Sequence, residues 1–154
     1  MTTFESNVNI DNEQKVADAI QNHVGNSIKV SESLDFDYYI DRVLFENDGI
    51  VAWIEIKCTD TYEYCMSSYY KISLKKIKRG IDWGESTSAP FYLAVNFKDG
   101  IFITRITKEC MKDYPIGWGG RKVRRVKGDQ EPMIAIPISE FVSLRNFTID
   151  KVYC

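Results

Sequence analysis

Apolar residues first recur at helical spacing in residues 11–24, DNEQKVADAIQNHV, where Val16, Ala17, Ile20 and Val24 share one face. The pattern predicts an amphipathic helix with Asp11 or Asn12 as its N-cap. Glu13 lies three and four positions before Val16 and Ala17, so a carboxylate stands at the leading end of the core face. NSIKVSES offers a short strand. From residue 37 to 58, DYYIDRVLFENDGIVAWIEIKC, the pattern turns to alternation and long apolar runs, predicting two long strands around a tight turn. Helical spacing returns in residues 66–80, MSSYYKISLKKIKRG, through Tyr70, Leu74 and Ile77, with Gly80 as the stop. APFYLAVNF (89–97) and IFITRI (101–106) flank Lys98-Asp99-Gly100 as a second hairpin. Residues 112–132 show no periodicity, and MIAIPISEF (133–141) predicts a strand followed by a short element. Helix, strands, helix and strands imply an α/β (α+β) domain, a mixed central β-sheet flanked by helices. One domain is expected over residues 1–154, with a core at about 11–106 and a basic loop and C-terminal strand at 107–154.

Within AWIEIKC (52–58), alternation puts Trp53, Glu55 and Lys57 on one face and Ala52, Ile54, Ile56 and Cys58 on the other. Two opposite charges inside an apolar strand are costly unless something is paired or coordinated there. If Asn47-Asp48-Gly49 forms a three-residue loop with glycine in the left-handed position, Glu46 faces Ile50, and counting back sets Asp41 opposite Glu55. Directly opposed side chains have Cβ atoms about 4.5–5.5 Å apart, and like charges so placed destabilise a bare sheet. A divalent cation resolves the conflict. Asp41, Glu55 and the main-chain carbonyl of Ile56 supply the oxygen donors that Mg²⁺ prefers, with Mn²⁺ as a substitute. Lys57 would then stand beside the attacking water or the scissile phosphate, and Glu13 could join the shell. The competing interpretation is an ion pair of Lys57 with Glu55 or Asp41 on a partly exposed strand; Glu13-Gln14-Lys15 repeats the acid-x-lysine pattern on a helix.

Composition narrows the partners. The 154-residue chain has a formal net charge of -2, so a nucleic-acid partner must be met by a local basic patch. No apolar run approaches the roughly 20 residues of a membrane helix, and MTTFESNVNIDNEQK lacks the features of a signal peptide, so a cytoplasmic protein is expected. Cys58, Cys65, Cys110 and Cys154 form no CxxC pair and His23 is the sole histidine, which gives no zinc site. Reduced thiols and a solvated His23 are expected.

The order of elements, with Asp41 followed fourteen positions on by Glu55-Ile56-Lys57, resembles the PD-(D/E)XK nuclease superfamily, which includes type II restriction enzymes, Holliday-junction resolvases and phage exonucleases. The resemblance covers residues 11–106 and implies a restriction-endonuclease-like core in the order α-β-β-β-α-β. It implies Mg²⁺-dependent phosphodiester hydrolysis, with Asp41 and Glu55 as metal ligands, Lys57 as catalytic lysine, and Glu13 matching the acid that many members carry on the first helix. Ile40 stands where the name-giving proline would be.

The helix after the E-x-K strand adds a polar or basic residue to the site in many members. Ser73 and Lys76, three apart on one helical face with Tyr69 beside them, are the candidates, among Lys71, Lys75, Lys78 and Arg79. The densest basic cluster is GWGGRKVRRVKG (117–128), with Arg121, Lys122, Arg124, Arg125 and Lys127. Its glycines around Trp118 predict a mobile loop that tracks a strand or stacks on a base, or else a solvated hairpin paired with Asp129 and Glu131. The expectation is a metal-dependent nuclease acting on DNA rather than RNA, possible as a homodimer. The alternatives are a non-catalytic nucleic-acid-binding module of the same fold, and an interaction protein with a surface ion-pair group.

Overall fold

The computed structural model describes residues 7–59, 62–120 and 130–149. Helix α1 (Asn7–Val24) is followed by strands β1 (Ile28–Val30), β2 (Arg42–Glu46) and β3 (Gly49–Thr59). Strand β4 (Tyr69–Ser73) leads directly into helix α2 (Leu74–Thr87), and the hairpin β5 (Phe91–Phe97) and β6 (Gly100–Arg105) follows. A single helical turn, α3 (Lys108–Met111), precedes β7 (Ile116–Gly120), β8 (Gln130–Pro137) and the two-residue β9 (Val142–Ser143). Six strands make the central sheet in the order β1-β2-β3-β5-β6-β9, and β4-β8-β7 form a second sheet. Only β3 and β5 run parallel, because α2 crosses between them; the other neighbours are antiparallel.

Each helix covers one face of the central sheet. Val16, Ala17 and Ile20 of α1 pack on Leu44, Ala52, Ile54 and Ile56. Ile77 and Ile81 of α2 pack with Trp53, Leu93 and Val95 on the opposite face, where Tyr70, Ile72, Ile134 and Ile136 of the second sheet close the same core. Strand β3 is therefore buried on both faces, which accounts for its long apolar run. That burial is what makes its glutamate unusual.

Several elements differ from the sequence expectation, each for a physical reason. Helix α1 begins at Asn7, so Asp11 and Asn12 lie inside it and cap nothing. The segment 66–80 is not one helix. Tyr70 and Ile72 alternate with the outward Tyr69, Lys71 and Ser73, and β8 supplies a partner strand, so β-pairing prevails over the i, i+4 match of Tyr70 with Leu74. Gly80 lies inside α2, where an added Cβ would fall 2.3 Å from the Phe91 ring; it allows α2 to sit close on β5. The helix ends instead at Ser88, with φ 54°. The strand predicted from residue 37 begins at Arg42, after a 3-10 turn at Phe36–Tyr38.

The β2–β3 turn contains two residues, Asn47 and Asp48, with Glu46 opposite Gly49; Asn47, at φ 54°, takes the left-handed conformation, not Gly49. A register shift between Leu44 and Phe45 then restores the pairing Arg42↔Ile54. Continued one step, that register sets Asp41 level with Glu55. The turn departs from expectation, and the bulge cancels its effect at the end that matters.

Candidate active site

Strand alternation turns Trp53, Glu55 and Lys57 toward α2, while Ile54 and Ile56 face α1. Glu55 is 1% exposed. Its Oε2 lies 3.4 Å from Lys57 Nζ and 3.8 Å from Lys76 Nζ, which α2 extends over the strand. Its Oε1 is buried without a hydrogen-bond partner among the described residues. Burial, then the nearby Asp41 carboxylate, push the Glu55 carboxyl up to about 7, against the opposing pull of Lys57 and Lys76. The described residues thus surround this carboxyl with apolar groups, two ammonium groups on one oxygen and no donor on the other.

Asp41 sits just before β2, where the ladder with β3 has ended. Its Oδ2 accepts the Ile56 N–H at 2.8 Å, which fixes the carboxylate against the edge of β3. A residue's N–H and C=O leave a strand on the same edge. The Ile56 carbonyl therefore opens into the gap that β2 leaves beside Asp41. Two carboxylates and a carbonyl, one carboxylate oxygen being orphaned, are a donor set suited to a hard divalent cation, which would complete its shell with water or substrate oxygens. Among the described residues no group of three or more His, Cys, Asp or Glu side chains is arranged to hold a metal, so the main-chain carbonyl, water or substrate would have to complete the shell.

Glu13 is not brought to this cluster. Its Oε1 lies 3.1 Å from Nε of Arg42 and accepts the Ser33 hydroxyl at 3.1 Å. Arg42 follows Asp41 and so points to the opposite, α1 face, where it is 3% exposed and also donates to the Ser31 carbonyl and the Gln14 amide oxygen. The expectation from sequence is that Glu13 could join a metal shell; in this structure it neutralises a buried guanidinium. Arg42 was missed from sequence. Its signal was a charge sharing a strand face with the apolar Leu44, two positions on.

Ser73 is not on the helix face either. It ends β4, and its hydroxyl bonds the Glu131 carboxylate of β8. Lys71 belongs to β4, Lys78 pairs with Asp82 along α2, and Arg79 lies 4.6 Å above the Tyr39 ring. Of the proposed helix residues, Lys76 alone reaches the carboxylates. Tyr69 stays on the outer face of β4, half exposed. Residues 116–120, expected as loop, form β7, whereas Arg121, Lys122, Arg124, Arg125 and Lys127 lie outside the described residues. His23, exposed as expected, bonds the Phe147 carbonyl, and among the described residues Cys58, Cys65 and Cys110 form no disulfide.

A family model described as "Phage putative PDDEXK endonuclease" matches residues 1–144. The chain belongs to this endonuclease family. The fold of this PDDEXK endonuclease is also that of a solved resolvase. A Holliday junction resolvase from the archaeal hyperthermophile Archaeoglobus fulgidus aligns with a TM-score of 0.53, over 86% of this chain and 96% of the other, at 9% identity. No curated protein matches the sequence. No helix among the described residues is long and apolar enough to cross a membrane.

Proposed function

We propose that this PDDEXK endonuclease hydrolyses phosphodiester bonds in DNA, with Asp41, Glu55 and the Ile56 carbonyl holding Mg²⁺ or Mn²⁺. The observation that carries the reading is Glu55 Oε1, buried and unpartnered beside Asp41. A cation held there would polarise the phosphodiester and ease deprotonation of a water. The chain's own groups do the rest. Lys57, 37% exposed, faces solvent from the pair with Glu55 and can donate to the attacking water or to the phosphate. Lys76, 30% exposed, adds a second positive charge where negative charge develops on the phosphate oxygens. The Ile56 N–H holds Asp41 in one orientation, so no reorganisation is needed when substrate arrives.

Ser73 ties β4 to β8 within the second sheet through Glu131, and Arg121, Lys122, Arg124, Arg125 and Lys127 supply charge for the backbone without reading sequence. Branched DNA, the substrate class named for the archaeal resolvase, is one substrate to test. A homodimer would let each subunit cut one strand. A binding module of the same fold has no use for a desolvated carboxylate with an orphan oxygen, since surface lysines would hold a phosphate backbone at less cost in stability.

The test is cleavage of single-stranded, duplex and branched DNA with Mg²⁺ or Mn²⁺ by the wild type, Lys57→Ala and Glu55→Ala. Metal-dependent cutting abolished in both variants is expected. Cutting that persists in both moves the chemistry elsewhere, and binding without cutting by the wild type in any metal returns the fold to a binding role.

A further inference from the structure

The β7–β8 ribbon carries features that packing does not require. Trp118 is 70% exposed and the adjacent Ile116 on the same face 54% exposed, although this face nearer the body holds the buried Ile134 and Ile136. The indole is not loose: its Nε1 donates to the Gln130 side chain at 2.9 Å, which fixes the ring plane across the ribbon. On the other face stands Gly117, where an added Cβ would meet nothing within 4 Å and the backbone is outside the left-handed region. Neither space nor φ asks for glycine there. A glycine inside a strand weakens it, and one with open space beside it leaves the main chain accessible to a ligand. Strand β7 is an edge of its sheet, so its outward main-chain groups face away from β8.

The ribbon also has a definite place. Glu131, opposite Gly119, bonds Ser73 at the start of α2, and Lys76 one turn on touches Glu55. The exposed tryptophan thus belongs to the element joined to the site's own helix. Residues 121–129, which connect β7 to β8, carry five Lys or Arg against one Asp in the sequence. An oriented, exposed aromatic followed at once by concentrated positive charge matches the two chemistries of a single nucleic-acid strand: a base with a free π-face and a phosphate backbone.

We infer that Trp118 is a stacking platform for an unpaired base, and that the preferred substrate is DNA with single-stranded character beside the cut. The inference rests on the nuclease reading only for the location of the cut. In intact duplex both faces of each base are already stacked, so the indole gains nothing from it. A single strand, a bulge or a branch point offers the free face. The unpaired outer edge of β7, with open space on the face at Gly117, leaves room for the sugar-phosphate chain to run alongside.

The experiment measures binding with the metal chelated, so that nothing is cut, using oligo-dT and a duplex of equal length as probes. Trp118→Ala is expected to weaken oligo-dT binding about tenfold and leave duplex binding within about twofold, while Trp118→Phe keeps most of the affinity. Gly117→Val, which the open space accepts without loss of fold, is expected to weaken oligo-dT binding as well. Circular dichroism of each variant verifies that the ribbon is intact. Oligo-dT affinity unchanged in Trp118→Ala, or an equal loss on single strand and duplex, overturns the inference. Selective loss in a protein that cuts nothing upholds the stacking role while removing the nuclease reading.

Discussion

The chain contains the same short pattern twice, Glu13-Gln14-Lys15 on α1 and Glu55-Ile56-Lys57 on β3, and the two could hardly be treated more differently. On a helix, positions two apart diverge by about 200°, so Lys15 is exposed while Glu13 turns to the buried Arg42. On a strand, positions two apart share a face, so Lys57 stays with Glu55. Glu13 has a guanidinium and a hydroxyl on one oxygen and serves to neutralise a buried charge. Glu55 has a second acid as neighbour and one oxygen with no partner among the described residues. An acid-x-lysine triplet carries no chemistry of its own. The element beneath it decides whether the lysine is kept, and the depth of that element decides whether the acid is strained or at ease.

The sharpest break in the comparison is in catalysis. Lys57→Ala and Glu55→Gln are expected to lower the single-turnover cleavage rate at least about a thousandfold, about 4 kcal/mol in the barrier. Glu13→Gln should lower it by less than about tenfold. A thousandfold loss in Glu13→Gln would return that residue to the reacting centre.

Stability should divide the two acids in opposite directions. The Glu55 carboxyl, at about 7 in the folded chain against an ordinary value of 4.5, binds its proton more tightly when folded. That contribution is fully present below about 4.5 and is lost as pH rises to about 7. Glu55→Gln is therefore expected to raise unfolding stability at pH 8, by up to about 3 kcal/mol relative to pH 4.5. Urea titrations at the two pH values measure this, and an equal difference at both removes the claim that Glu55 is strained. Glu13→Gln should instead cost about 1–3 kcal/mol, because Arg42 loses its counter-charge while remaining buried.

Divalent metal should act on one acid only. Millimolar Mg²⁺ or Mn²⁺ is expected to raise the melting temperature of the wild type and of Glu13→Gln by a few degrees, more at pH 8 than at pH 6 because the Glu55 proton competes. No shift is expected in Glu55→Gln. The smallest effect belongs to Lys76→Met, which removes the more distant ammonium, at 3.8 Å, and should slow cleavage roughly tenfold with little change in stability.

The helix-to-strand error in residues 66–73 and the register that brings Asp41 near Glu55 have related causes. Tyr70, Ile72 and Leu74 satisfy a period of two, and Tyr70, Leu74 and Ile77 a helical one, so local pattern was balanced; β8, far along the chain, tipped it. The Asp41 register survived a wrong turn because the two-residue turn and the shift at Leu44/Phe45 offset one another, and the buried face of β3 admits no slip by one residue. Gly80 read as a helix stop because glycine's backbone freedom is local knowledge. Its real reason, the Phe91 ring 2.3 Å from where a Cβ would be, is a contact between elements.

What the sequence by itself determined is what depends on neighbours along the chain: a strand whose period of two keeps Glu55 and Lys57 on one face, an acid set level with them across a hairpin, and an amphipathic helix before them. Only the tertiary structure decided how each charge is solvated. It buried Glu55 under α2 with Lys76 beside it, assigned Glu13 to Arg42, and joined Ser73 to Glu131 beneath an exposed Trp118. Desolvation and pairing depend on what the distant chain brings within a few ångströms, and no spacing within a strand or helix encodes that.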